Sequence, residues 1–391
     1  MQKKLIALAV AAAFSAPAFA DVTMYGNVDA AVAHASADGQ KSDTIAVSGG
    51  LSASRLGVKG AEDLSNGMKA VVVLEYGLDP QTNSTIGASG VGNSSVVARQ
   101  QMLALAGDFG TVATGYLQTT AYDWAVKFDP MADSLVSPLQ NVTAGSTFLI
   151  GSATGAARAQ RALAYISPNM SGVTVAVNYS TALAGVGNLT APSTAAVDPK
   201  TSAFLLSANY DNGPLSVGAV YTGATAGTTY LPALATETST LSATDIALGA
   251  SYDFTVVKLF ATYQTSKTGT NNIVTTAGTN KAMSVSAVAP VGPGAIALSY
   301  AKNTIDASST LSSLSKVGTG TDMGASGVTL AWLQGLSKTT TFYAAYTKTS
   351  QGANTASYSV INDALAASTA AGWASGGGSS SMLAVGLNKK F

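Results

Sequence analysis

Residues 384–391 read AVGLNKKF, an alternating run that stops on an aromatic residue with no turn or tail behind it. A strand that stops at a chain end presents a row of amide and carbonyl groups, and sheets normally cover or charge such an edge. The other end of the mature chain offers a partner, since VTMYGNVDAAV at 22–32 is equally strand-like. Pairing of first and last strands closes a sheet into a barrel.

The alternation continues between these two segments. Val173, Val175, Val177 and Tyr179 fall on one face of a run whose other face carries Thr174, Ala176 and Asn178. The same period of two places Leu215, Val217, Ala219 and Tyr221 together, then Ile246, Leu248, Ala250 and Tyr252, and later Phe342, Ala344 and Tyr346. A period of two is that of a strand with one apolar face. Sixteen such segments are expected, centred near residues 27, 56, 73, 101, 114, 163, 176, 206, 219, 248, 260, 285, 298, 330, 344 and 386.

Tight-turn signals separate alternate pairs of segments: Ser65-Asn66-Gly67, Asp108-Phe109-Gly110, Asn169 to Gly172, Asp211-Asn212-Gly213 and Pro290 to Gly294. Long polar stretches at 119–157, 182–200, 304–325 and 350–380 separate the others. Short turns on one rim and long loops on the other are the mark of a barrel inserted into a bilayer from one side. Many apolar faces also end in an aromatic residue, as at Tyr116, Tyr179, Tyr221, Tyr252, Tyr300, Tyr346 and Phe391, which reads as an interfacial girdle. No apolar run in the mature chain is long enough for a spanning helix, so strands are left to cross the membrane.

Composition supports an exported protein. MQKK, LIALAVAAAF and AFA before Asp21 form the basic, apolar and small-residue parts of a signal peptide, so residues 1–20 are expected to be cleaved and 21–391 to form one barrel domain. Cysteine is absent, which excludes disulfides and thiolate chemistry. Removing Lys3 and Lys4 leaves 18 basic and 20 acidic side chains, with no basic excess to bind nucleic acid. The single histidine, His34, stands apart from any Ser/His/Asp or metal-ligand pattern, so no catalysis, cofactor or metal is expected.

The blocks VTMYGNVDAAV, SRLGVKGAEDLSNGMKAVVVLEY at 54–76, ARQQMLALAGDFGTVATGY at 98–116, YISPNMSG at 165–172, YDNGPLSVGAVY at 210–221, LGASYDF at 248–254, LSKTTTFYAAY at 336–346 and the closing VGLNKKF follow one another along almost the whole mature chain. In this order the chain resembles the trimeric general porins of Gram-negative outer membranes, in their neisserial-type, betaproteobacterial branch. The resemblance implies an all-β, 16-stranded antiparallel transmembrane barrel, assembled as a homotrimer among outer-membrane lipids and lipopolysaccharide and passing ions and small hydrophilic solutes. It also implies an inward-folded third extracellular loop at about 119–157, carrying Asp123, Asp129 and Asp133 opposite a basic wall of Arg55, Arg99 and Arg158.

The resemblance is imperfect in two places. Arg161 stands where an Asn is usual, which adds a positive charge in or beside the slot. Lys389 replaces an aromatic or His three places from the end, near the Phe391 signal read by the outer-membrane assembly machinery.

Strand parity adds to the expected site. If Leu56 and Val58 face lipid, Arg55 and Lys59 face the lumen, since a charge at the bilayer midplane costs about 2–4 kcal/mol. By the same counting Tyr25, Asp29, Lys69 and Glu75 are lumenal. Arg99 shares its phase with Leu103 and Leu105, so either these leucines pack on a folded loop or a bulge intervenes. A slight anion preference follows from the expected charges. The alternative reading is a structural, surface-array or adhesin barrel whose loops carry the main role; a secreted β-sandwich is a third.

Overall fold

The computed structural model describes residues 21–39, 41–81, 98–143, 148, 150, 157–183, 201–227, 240–270, 279–305, 324–352 and 377–391. The expected signal peptide lies outside the described residues, as does most of the loops expected at 182–200, 304–325 and 350–380.

Seventeen strand segments build one sheet. They are β1 (Asp21–Ala37), β2 (Asp43–Ser48), β3 (Arg55–Asp63), β4 (Lys69–Gly77), β5 (Ala98–Gly107), β6 (Gly110–Gln118), β7 (Arg158–Ile166), β8 (Val173–Leu183) and β9 (Thr201–Asn212). The circuit continues through β10 (Leu215–Gly227), β11 (Thr240–Asp253), β12 (Lys258–Thr270), β13 (Thr279–Val291), β14 (Gly294–Thr304), β15 (Ala325–Ser337), β16 (Thr340–Gln351) and β17 (Ser379–Lys390). β2 and β3 both pair with β1, at Ala30↔Ser48 and Asn27↔Arg55, so they are two halves of one barrel strand and the barrel has sixteen. All sixteen expected centres fall within strands. The upper half-strand β2 was not expected, because the Gly49-Gly50 pair after DTIAVS interrupts the alternation.

The sheet closes where β1 meets β17, antiparallel from Asn27↔Lys390 to Ala37↔Ser380. One further pair of backbone bonds joins Gly26 and Phe391, Gly26 N to Phe391 O at 3.0 Å and Phe391 N to Gly26 O at 3.2 Å. The Phe391 ring lies so close over Gly26 that a Cβ there would come within 2.4 Å of it. A glycine is therefore required at this point of the seam. A single closed sheet excludes the β-sandwich.

Side chains are arranged inside out relative to a water-soluble protein. Leu103, Leu163, Leu248, Val285 and Leu330 are each more than half exposed on the outer face, while their inward neighbours Ala104, Ala162, Ala247, Ser284 and Thr329 are buried. In water each such exposed residue would forgo about 1.5–3 kcal/mol of burial. A bilayer core removes that penalty, and the closed backbone leaves no amide unpaired at its depth.

The seam is also locked from within. Asp29 on β1 is fully buried, and its carboxylate accepts from Tyr343 Oη at 2.6 Å on β16, from Asn388 Nδ2 at 2.9 Å on β17, and from the amides of Leu51 and Ser52 at 3.2 and 3.1 Å. The first strand, the last two strands and the inward kink between β2 and β3 thus share one acceptor. Parity assigned Asp29 to the lumen, but it meets protein donors there and not solute.

Replacing Tyr343 with Phe removes one bond to a charged acceptor and should cost about 1.5–3 kcal/mol of stability. This should appear as a lower temperature for conversion of the compact folded band to the unfolded one on a denaturing gel. An unchanged transition would mean that the latch contributes nothing.

Candidate functional site

The segment after β6 turns into the barrel. Thr119 caps helix α1 (Thr120–Phe128), its hydroxyl accepting from the Tyr122 amide, with Asp123 in the first turn and Lys127 in the last to suit the helix dipole. Trp124, Ala125 and Phe128 line one face at helical spacing and are buried. They pack on the inner wall of β10 and β11, where Gly218 and Gly249 make room: a Cβ at either would lie 2.7 or 2.5 Å from Phe128. The Trp124 indole donates to Gly218 O at 3.4 Å, and the Thr120 amide donates to Asn178 Oδ1 at 2.8 Å.

A second short helix, α2 (Pro138–Thr143), continues around the opposite wall. Thr329 Oγ1 donates to Val136 O at 2.7 Å and Asn303 Nδ2 to Val142 O at 2.5 Å. Residues 119–143 therefore lie within the barrel, pinned to it on two sides.

Between the helices the chain reaches the β2–β3 kink. The Ala53 amide donates to Asp133 O at 2.9 Å and the Leu135 amide to Gly49 O at 3.2 Å. Asp133 takes a left-handed backbone conformation with φ of 59°, a state that Asp tolerates better than most residues. That turn aims its carboxylate at two wall arginines, Arg55 Nη1 at 3.4 Å and Arg99 Nη2 at 2.9 Å.

Arg99 is held on its other side by Glu75, Nε to Oε1 at 2.8 Å, and Tyr25 Oη donates to Glu75 Oε2 at 3.0 Å. Arg99 Nη2 also donates to Tyr122 Oη at 3.3 Å. The Arg158 guanidinium sits 4.2 Å from the centre of the Tyr122 ring and donates to the carbonyls of Arg99 and Ala157 at 2.9 and 3.0 Å. Loop and wall thus form one polar cluster of Tyr25, Arg55, Glu75, Arg99, Tyr122, Asp133 and Arg158.

The uncertain parity of Arg99 resolves as a bulge. Glu75 pairs with Gln100 but Tyr76 pairs with Ala98, so Arg99 is the extra residue and swings inward while Leu103 and Leu105 stay exposed outside.

Other expectations need correction. Arg161 is exposed and makes no ion pair among the described residues. It lies in a bulge opposite Tyr116 with φ of 47°, on the phase of Leu163 and Tyr165, and so belongs to the outer face and not to the slot. Lys69 pairs with Asp63 at 2.9 Å across the β3–β4 turn, both well exposed, and belongs to the rim.

The three loop aspartates do not face the arginines together, since only Asp133 touches them. Asp129 is buried within the loop, accepting from Ser137 Oγ at 2.5 Å and the Met131 amide at 2.9 Å; burial raises its carboxyl pKa while those bonds pull it back. Asp123 keeps its side chain open to the lumen and accepts from Gln118 Nε2; the protein packed around it raises its carboxyl pKa, while that bond and the charge of Arg158 pull it back. Lys59 is exposed on the phase of Arg55 and Gly57, without an ion pair among the described residues. His34 lies in β1 on the phase of Val32, its Nδ1 2.8 Å from Thr44 Oγ1. No group of three or more His, Cys, Asp or Glu able to hold a metal occurs among the described residues.

The sequence reading missed Tyr122. Its signal was the aromatic pair in TAYDW that flanks Asp123, which alternation along strands could not weigh.

A family model described as Gram-negative porin matches residues 7–354. The chain belongs to this family. Outer membrane porin protein 32 of Delftia acidovorans is 31% identical over 185 residues, covering 46% of this chain and 50% of that one. Major outer membrane protein P.IB of Neisseria meningitidis is 37% identical over 129 residues, covering 32% and 36%. The porin thus spans half the length of the first of these curated relatives and about a third of the second.

Among solved structures, the anion-selective porin from Comamonas acidovorans shares the fold with a TM-score of 0.72 at 24% identity, covering 95% of this chain and all of that one. OmpT of Vibrio cholerae in its trimer form reaches 0.61 at 15% identity, covering 95% and 99%. The porin is an outer-membrane barrel.

Because Phe128 occupies the space that two glycines leave, Gly249→Val should displace α1 from the wall at a cost of about 1–3 kcal/mol. Faster proteolytic cleavage within 119–143, together with altered single-channel conductance, should report this. Wild-type behaviour in both would mean that the glycine pocket does not hold the loop.

Proposed function

We propose that this porin is a water-filled channel for passive diffusion of ions and small hydrophilic solutes, with a slight preference for anions set by the loop–wall cluster. Residues 119–157 act as its constriction loop, and it works as a homotrimer, with lipopolysaccharide and other outer-membrane lipids around it. Phe391 at the seam is the group that the assembly machinery reads. Residues 1–20 are the export signal.

The observation that carries the anion preference is which charges meet water. The Arg55 side chain is 27% exposed, whereas its partner Asp133 is 9% exposed and Glu75 only 6%. Lys59 is exposed as well, and Asp129 is sealed inside the loop. Asp123 is the exposed acid of the described loop, and Arg158 stands near it. Arg55 and Lys59 line the path while most of the carboxylates stand behind them, paired or sealed off with Arg99 and Arg158. A solute anion therefore meets donors that replace part of its hydration, and an apolar solute meets ordered polar groups that it cannot satisfy. The relative from Comamonas described as anion-selective and the trimer form from Vibrio cholerae support the same reading.

The test is reversal potential across a planar bilayer under a salt gradient. Wild type should favour anions, with closures in steps of three. Arg55→Gln and Lys59→Gln should each lower the anion-to-cation permeability ratio by roughly a factor of two, the scale of one partly screened charge, and Asp123→Asn should raise it. Folded, inserted protein that does not conduct, or variants with unmoved reversal potential, would overturn the assignment.

A further inference from the structure

Within the loop–wall cluster, Arg158 is the arginine that meets no carboxylate. Arg55 and Arg99 share Asp133, and Arg99 also holds Glu75, whereas Arg158 makes no ion pair among the described residues. The residue is nevertheless only 8% exposed. A buried charge without a counter-charge is costly and needs other partners. Arg158 finds them in the carbonyls of Arg99 and Ala157 and in the face of the Tyr122 ring, 4.2 Å from its guanidinium. Carbonyls and a ring supply partial charges only, so the net positive charge stays in place.

Helix α1 delivers Tyr122 to this point. Trp124 and Phe128 are buried on its wall side, with Phe128 seated against Gly218 and Gly249. At about 100° per residue, Tyr122 lies about 200° round the helix from Trp124, so it leaves from the face turned away from that wall. It crosses instead to β5 and β7, where Arg99 donates to its hydroxyl at 3.3 Å and Arg158 lies over its ring. The hydroxyl is thus fixed by an arginine that two carboxylates already neutralise, and the ring covers the one that none does.

The two cations differ in what a solute can reach. The Arg55 side chain is 27% exposed, while Arg158 and the Tyr122 that covers it are both buried. Two N–H groups of Arg158 are spent on backbone carbonyls. Contact with the rest of the guanidinium is blocked from the loop side by the ring.

We propose that Tyr122 is a positioning residue that holds the Arg158 guanidinium out of reach of solutes and so limits the anion preference of the channel. This role, which rests on the anion-preferring channel proposed above, makes the strength of that preference a property of one aromatic side chain on the loop. With the ring in place Arg158 lies flat against α1. Without it, the donors of Arg158 turn to water and to passing anions, which are drawn by the groups they can touch.

The test is a double-mutant cycle on the full mature protein in a planar bilayer, read as reversal potential under a salt gradient. Tyr122→Ala should raise the anion-to-cation permeability ratio by roughly a factor of two, the scale of one partly screened charge. Tyr122→Phe keeps the ring over Arg158 and should show only a small part of that rise. Arg158→Gln should lower the ratio less than Arg55→Gln does, yet it should abolish the rise when combined with Tyr122→Ala, because coupled side chains do not act additively.

A purely structural role for Tyr122 gives a different pattern, since a displaced loop would change Tyr122→Ala and the double variant alike. If Tyr122→Ala fails to fold, Tyr122→Leu fills the same space without a π face and should give a smaller rise that Arg158→Gln again abolishes. Additive effects at 122 and 158, an equal rise in Tyr122→Phe, or a ratio that stays or falls on removal of the ring, as when Arg158 swings onto Asp123, would overturn the assignment. A cation-preferring wild type would sink the anion-preferring channel, and the coupling of 122 with 158 would still decide this role.

Discussion

The closed ring of backbone hydrogen bonds is the constraint on which the rest of this porin depends. In a bilayer core an unpaired amide or carbonyl costs several kcal/mol, and only closure of β17 onto β1 removes the last edge. Closure fixes which face of each strand meets lipid, and that in turn fixes which side chains enter the lumen. Asp29 ties the seam to the interior, because the same carboxylate that bridges β1, β16 and β17 also holds the amides of Leu51 and Ser52. The kink at 49–54 then offers Ala53 and Gly49 to the loop, so the position of Asp133 rests on the geometry of the seam.

Within the barrel, two kinds of contact divide the work of holding the loop. Apolar packing of Trp124 and Phe128 on glycine-bearing strands fixes where α1 lies, while Asp133 fixes how the loop meets the arginines. The left-handed backbone at Asp133 carries some strain, offset by two ion pairs and a backbone bond. This arrangement neutralises Arg99 almost completely and leaves Arg55 partly open to water.

Much of the fold was legible in the sequence because bilayer solvation makes alternation a rule with few exceptions. Every expected strand centre falls within a strand, and the outward phase of segments such as 246–252 follows from periodicity. One bulge marks where counting fails: at Arg99 the extra residue turns a guanidinium from the lipid phase to the lumen. Arg161 was expected in the slot from the resemblance, whereas strand phase puts it outside with Leu163 and Tyr165. A bulge is a decision made between two strands, so one strand's pattern cannot reveal it. The loop acids were misjudged for a related reason: Asp129 and Asp133 are four residues apart, yet one turns into the loop and the other toward the wall, according to backbone angles that composition does not encode.

The directness of the ion pairs explains why selectivity should be slight. Charges facing each other across an open slot would create a strong transverse field, but Asp133 and Arg99 at 2.9 Å cancel much of each other's potential at the distance of a passing solute. What remains is short-ranged and falls off within about a Debye length of 8–10 Å at moderate salt. On the proposed function, an anion is favoured by the donors it can touch, Arg55 and Lys59, more than by a field spanning the lumen. Local contact of this kind discriminates by hydration and size as well as by sign, which suits a path open to many small polar solutes.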